Sequence, residues 1–119
     1  ELAARCDALL QPDFLNVAGD LEMDVEKVAV LGGSGAKYIP SALQCGAQVF
    51  ISGDLKYHEA LEAVGAGLAL IDAGHAATER PVLPALAGFL REKIKRAGLK
   101  TEVVVFREPK TLWQPFKKG

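Results

Sequence analysis

At 119 residues the chain has the length of one domain. Hydrophobic residues make up 50% and charged residues 24%, which is enough apolar surface for a buried core and too much for intrinsic disorder. Lys and Arg total 14 against 15 Asp and Glu, a net charge of −1, so neither a basic nucleic-acid footprint nor a basic membrane-binding surface is expected.

Residues 1–10 place Leu2, Ala3, Cys6, Leu9 and Leu10 at helical spacing, and Gln11-Pro12-Asp13 ends that helix. Phe14–Val17 reads as a short edge strand before Gly19-Asp20. Lys27–Leu31 is a β-branched run that stops at Gly32-Gly33-Ser34-Gly35. Ala36–Cys45 reads as a short helix with Gly46 as its C-terminal glycine. Ala47–Ser52 is the next strand, and Tyr57–Val64 an amphipathic helix closed by Gly65 and Gly67. Leu68–Ile71 is a third strand, stopped by Asp72-Ala73-Gly74. Ala76–Ala97 reads as one long helix with Pro81 and Pro84 near its first turn, a basic last turn and Gly98 as its cap. Thr101–Phe106 is expected to be the final strand, with Trp113, Pro115 and Phe116 anchoring an extended tail.

Strand, turn and helix therefore repeat three times. The strands are nearly continuous apolar runs, the pattern of strands buried on both faces. The expectation is an α/β layered fold with a largely parallel sheet flanked by helices, forming a single domain over residues 1–119. No stretch is a continuous apolar membrane span: the longest uncharged one, Tyr38–Gly53, is interrupted by Pro40, Gln44, Gly46 and Gln48. Cys6 and Cys45 are far apart with no Cys-x-x-Cys. That pattern fits neither a disulfide scaffold nor a zinc ribbon and suits a reducing cytoplasm. Cys45 itself reads as a buried structural thiol. The chain starts at Glu1 and its only Met is Met23, which is the pattern expected of a piece of a longer protein.

In open α/β sheets ligands bind beyond the carboxyl ends of the strands. Three such ends carry unusual residues: Gly32–Gly35, Gly53–His58 and Asp72–His75, and both histidines of the chain lie among them. In His75-Ala76-Ala77-Thr78-Glu79 the imidazole and the carboxylate sit at i and i+4 and point the same way. They can reach one divalent ion at ~2.0–2.2 Å, with Asp72 orienting His75 from behind. The plainer reading is a helix start with Glu79 in a first-turn dipole contact. In the second element Asp54 caps the next helix or meets substrate, Lys56 steadies an anion, and His58 moves protons as acid or base. The plainer reading is again a cap and a solvated turn. The third element, Gly33-Ser34-Gly35, can offer backbone N–H groups to phosphate. It falls short of the dinucleotide fingerprint, because Tyr38 stands where the third glycine is needed.

Taken in order, Val28–Gly35, Val49–Ala60 and Ile71–Glu79, with Trp113-Gln114-Pro115-Phe116, resemble the Nif-three-like dinuclear metal family. Many of its members carry the name GTP cyclohydrolase I type two homologue. The resemblance covers about residues 20–116 and implies a fold of two similar halves, with this chain as the C-terminal half. It also implies a homo-oligomeric hexamer and a site of two divalent ions between the halves: zinc, iron, manganese, cobalt or nickel. His75 and Glu79 fall on the family's Gly-His-x-x-x-Glu ligand motif. The His-His pair and the Asp of the other half have no counterpart here. The implied chemistry is metal-assisted hydrolysis, such as opening of a guanine nucleotide ring. The alternative is a non-enzymatic metal-binding or protein-interaction scaffold of the same fold.

Overall fold

The computed structural model describes residues 1–107 and residue 116. The chain divides into two compact units, Glu1–Arg80 and Pro81–Gly119.

The first unit is a four-stranded sheet with helices on both faces. Its elements are α1 (Leu2–Leu10), β1 (Asn16–Ala18), β2 (Val28–Ser34), a 3-10 turn at Ala36–Tyr38 running into α2 (Ile39–Gln44), β3 (Val49–Gly53), α3 (Tyr57–Gly65), β4 (Ala69–Asp72) and α4 (His75–Glu79). The strand order is β1-β4-β3-β2. β2, β3 and β4 are parallel, and β1 joins the edge antiparallel to β4. The expected edge strand and the largely parallel sheet are both present.

Alternation along the central strands explains why their sequences are apolar throughout. Phe50 and Leu70 face one side, where they pack with Ile39 and Ala42 of α2, Ala63 of α3 and Leu68. Val49, Ile51, Ala69 and Ile71 face the other side, where they pack with Cys6 of α1 and with Leu2, Ala3 and Leu10. Every residue of β3 is buried, as a central strand with two covered faces requires.

β2 runs on to Ser34, past the point where its apolar residues stop. Val30 pairs with Ile51 and Ser34 with Gly53, so the intervening residues form a bulge. Ser52 fills the gap in the ladder. It is fully buried, and its hydroxyl faces the carbonyls of Leu31 (2.8 Å) and Gly33 (3.0 Å). A polar side chain at a core-facing position is tolerated because it is satisfied there.

The helix expected over 76–97 is divided. α4 stops at Glu79, and α5 spans Val82–Arg96 in the second unit. Pro81 causes the break: it has no N–H to give to the carbonyl of Ala77, and its ring would clash there. It sits just before the first turn of α5, where a missing donor costs nothing. Lys93, Lys95 and Arg96 form the basic last turn, and Gly98 (φ 67°) gives its N–H to the Lys95 carbonyl.

Thr101–Phe106 does not form the expected final strand. Its β-branched, apolar run is suitable, but the described part of the second unit holds no other strand to share backbone hydrogen bonds. Instead, the Val103 carbonyl accepts from Arg91 at 2.8 Å. Trp113 and Pro115 lie outside the described residues. Cys45 is exposed rather than buried, because α2 ends one residue earlier and turns outward at Gly46 (φ 73°).

Two substitutions test this packing. Leu70→Ala should cost about 2–5 kcal/mol in urea unfolding, the range for truncating a buried Leu. Gly53 and Gly65 should respond oppositely to Ala. A Cβ on Gly53 would lie 2.5 Å from the Gly74 carbonyl carbon, whereas one on Gly65 meets nothing within 4 Å. Gly53→Ala should destabilise the fold, while Gly65→Ala in the last turn of α3 should be neutral or stabilising by up to about 1 kcal/mol.

Candidate functional site

Because β2, β3 and β4 run in parallel, their carboxyl ends open on one edge of the sheet. Gly33, Asp54 and His75 come from the segments that leave these three ends, and the fold brings them together.

His75 is the first residue of α4 and is half exposed. Its Nδ1 lies 2.7 Å from Asp54 Oδ2, and its Nε2 lies 3.3 Å from Glu79 Oε1 one turn later. Asp54 occupies the left-handed region at φ 55°, where Asp is one of the few tolerated residues. It does not cap α3. The residue at the helix N-cap is Lys56, whose backbone N–H donates to the Glu59 carboxylate at 2.8 Å. Lys56 cannot accept a hydrogen bond itself, since an ammonium has donors only.

Asp72 does not touch His75. Its two oxygens accept the backbone N–H groups of Leu55 and Gly74, each at 2.9 Å. The carboxylate that meets the imidazole is Asp54, from the loop that leaves the neighbouring strand β3. Strand pairing of Ser52 with Asp72 is what aligns the two loops.

Gly33 lies against the pair. A Cβ there would sit 2.6 Å from Glu79 Oε1 and 3.2 Å from His75 Nε2, at a backbone φ of 76°. Only glycine leaves that space open and adopts that conformation freely. Its N–H is engaged by Thr78 Oγ1 at 2.8 Å, and the Gly35 N–H faces the Gly53 carbonyl at 3.4 Å. Both donors are therefore directed into the fold, so the glycine turn shapes the site sterically rather than presenting a phosphate cradle. Ser34 is exposed within β2. Thr78 in turn lies 2.9 Å from the carbonyls of Gly74 and His75 and so ties the bulge of β2 to α4.

Lys56 and His58 are exposed at the start of α3. The His58 ring meets Tyr57 edge-on at 5.6 Å between centroids. No hydrogen bond among the described residues joins His58 to His75, Asp54 or Glu79. Ser52, Thr78 and the pairing of Asp54 with His75 escaped the sequence reading. Ser52 carried a usable signal, a hydroxyl at a core-facing position of an apolar strand.

The electrostatics follow from this geometry. The hydrogen bond to Asp54, assisted by the charges of Glu79 and Asp54, raises the His75 pKa above its usual 6.5, against a smaller loss of hydration. When the ring is neutral, Nδ1–H donates to Asp54 and the Nε2 lone pair faces Glu79. Two lone-pair atoms at 3.3 Å repel unless a proton or a cation lies between them. The donor set fits a divalent ion. Ligands at ~2.0–2.2 Å that are 3.3 Å apart subtend roughly 100–110°, near the tetrahedral angle. A carboxylate behind the ring nitrogen not used for the metal is the usual support of a ligating histidine. Among the described residues no group of three or more metal-binding side chains is assembled, so His75 and Glu79 by themselves do not make a closed site.

A half-exposed pair of this kind is worth only ~0–1 kcal/mol, so its effect should be clearer in titration than in stability. By two-dimensional NMR, His75 should titrate above 6.5 in the metal-free protein, and Asp54→Asn should bring it down. The stabilisation from the protonated pair is fully present below the unfolded pKa of about 6.5 and is lost as pH rises through the folded value. An Asp54→Asn protein whose His75 titrates as in the parent would contradict the pairing.

Comparison with known proteins places this chain in a family. The chain is 44% identical over 84 residues to the GTP cyclohydrolase 1 type 2 homolog of Nostoc sp., covering 70% of this chain and 32% of that protein. It is 41% identical over 104 residues to the protein of the same name from Halalkalibacterium halodurans, covering 87% of this chain and 28% of that one. The crystal structure of the Bacillus cereus protein related to NIF3 superposes with a TM-score of 0.87 at 32% identity, over 96% of this chain and 31% of that one. The chain thus spans about a third of the length of the relatives it matches. Residues 1–111 match the model of the Duf34/NIF3 (NGG1p interacting factor 3) family, and the chain belongs to that family.

Proposed function

We propose that this chain is the C-terminal part of a dinuclear-metal, hydrolase-like protein and contributes His75 and Glu79 as metal ligands. The observation that carries the reading is the convergence of His75 Nε2 and Glu79 Oε1 at 3.3 Å, one turn apart on α4, with Nδ1 already engaged by Asp54. The remaining ligands of a site of two ions then come from sequence outside this chain, in keeping with its covering 32% and 28% of two relatives. The hexameric assembly belongs to the same proposal. The two free cysteines suit a reducing, cytoplasmic setting, and no helix among the described residues is long and apolar enough to cross a membrane.

A divalent ion, when bound, supplies Lewis acidity toward substrate and activates water for hydrolysis. The chain's own part is positional. Asp54 holds the His75 proton on Nδ1, which keeps Nε2 free. Gly33 leaves room above the pair for an ion or a substrate oxygen. Lys56 and His58, exposed on the neighbouring loop, are assigned to an anionic group and to proton movement respectively. The relatives' name, GTP cyclohydrolase 1 type 2 homolog, supports a guanine nucleotide as substrate and ring opening as the reaction. A second reading, a non-enzymatic metal-binding or interaction scaffold, draws on the family description as an interacting factor.

Two ligands hold an ion weakly, so the isolated chain should bind zinc or cobalt more weakly than micromolar. His75→Ala and Glu79→Gln should each abolish that binding in calorimetric titration. Tight stoichiometric binding by the isolated chain would overturn the half-site reading. In the full-length protein loaded with zinc, manganese, cobalt, iron or nickel, GTP should be opened and His75→Ala should stop it. Failure with every metal would favour the scaffold.

A further inference from the structure

We propose that Asp72 is the positioning residue of this site, acting as a clamp that fixes the distance between Asp54 and His75 without touching either side chain. The inference rests on the reading of His75 as a metal ligand and assigns what orients it.

The argument is one of backbone geometry. In the two loops that leave β3 and β4, Asp54 and Gly74 have positive φ values of 55° and 81°. Each adjoins a place where the chain must turn sharply between a strand and a helix. Asp72 Oδ2 accepts the N–H of Leu55, the residue after Asp54. Asp72 Oδ1 accepts the N–H of Gly74, the residue before His75. Both bonds are 2.9 Å. One rigid, planar carboxylate therefore holds the peptide between Asp54 and Leu55 and the peptide between Ala73 and Gly74, one residue short of His75. The two loops have little freedom left, since Gly53 approaches the Gly74 carbonyl so closely that a Cβ would lie 2.5 Å from its carbon. The 2.7 Å contact between Asp54 Oδ2 and His75 Nδ1 is then the outcome of where Asp72 holds the backbone.

The chemistry requires a carboxylate. Both bonds are received, and an ionised carboxylate is acceptor on both oxygens. An Asn at this position keeps one acceptor and turns an NH₂ toward the other N–H, so donor faces donor and one loop is released.

The test is made on the full chain with Asp72→Asn, and with Ile71→Val as a packing control on the same strand. Nitrogen-15 shifts of the neutral His75 ring report its tautomer. The parent and Ile71→Val should hold the proton on Nδ1, whereas Asp72→Asn should give a mixture. Cobalt affinity should fall about 10–100-fold in Asp72→Asn, the range for losing a partner that orients a ligand, and stay unchanged in Ile71→Val. Amide hydrogen exchange in the parent, which needs no variant to fold, should show Leu55 and Gly74 protected to the same degree. Unprotected Leu55 or Gly74 amides, or an Asp72→Asn protein with the parent's tautomer, would overturn the clamp. If His75→Ala binds cobalt as the parent does, the metal reading fails instead, while the tautomer and exchange results still judge Asp72.

Discussion

The hydrogen bond between His75 Nδ1 and Asp54 Oδ2, at 2.7 Å, determines what the rest of the site can do. In the neutral ring it favours the proton on Nδ1, which leaves the Nε2 lone pair facing Glu79, one helical turn on. As a stabilising contact the bond is minor, because both side chains are about half exposed and such pairs contribute little. Its consequence is chemical: a nitrogen and a carboxylate oxygen are held converging, and residue 33 has no side chain to intrude on them.

The sheet makes that arrangement possible. Parallel strands deliver their carboxyl ends to one edge, and the bulge in β2 brings Gly33 to α4. Each tie across this edge uses a short polar side chain. Ser52 secures the bulge, Thr78 joins it to α4, and Asp72 joins the two loops on either side of the imidazole. The apolar layers beneath, built on Phe50 and Leu70 on one face and Ile51 and Ile71 on the other, hold the strands whose ends these groups connect. Stability thus resides in the core, and geometry in a few hydrogen bonds at the rim.

Much of this was legible in the sequence because the signals were local. The apolar runs of β3 and β4 mark strands covered on both faces, and the spacing of His75 and Glu79 marks one helical face. What the sequence did not reveal depends on contacts between segments. The role of Asp54 turns on strand register, which brings residue 54 to residue 75. Asp72 stands near enough to His75 in sequence to suggest direct contact, but its oxygens are taken by Leu55 and Gly74. Thr101–Phe106 has the β-branched, apolar composition of a strand, yet a strand needs a neighbour, and composition alone does not supply one.

Anomalous diffraction at the zinc edge, from crystals of the protein grown with zinc, tests the central claim most directly. The account predicts a peak within bonding distance of His75 Nε2 and Glu79 Oε1, with His75 Nδ1 still on Asp54. A zinc ion on Nδ1, or zinc bound only at residues away from His75 and Glu79, would contradict it.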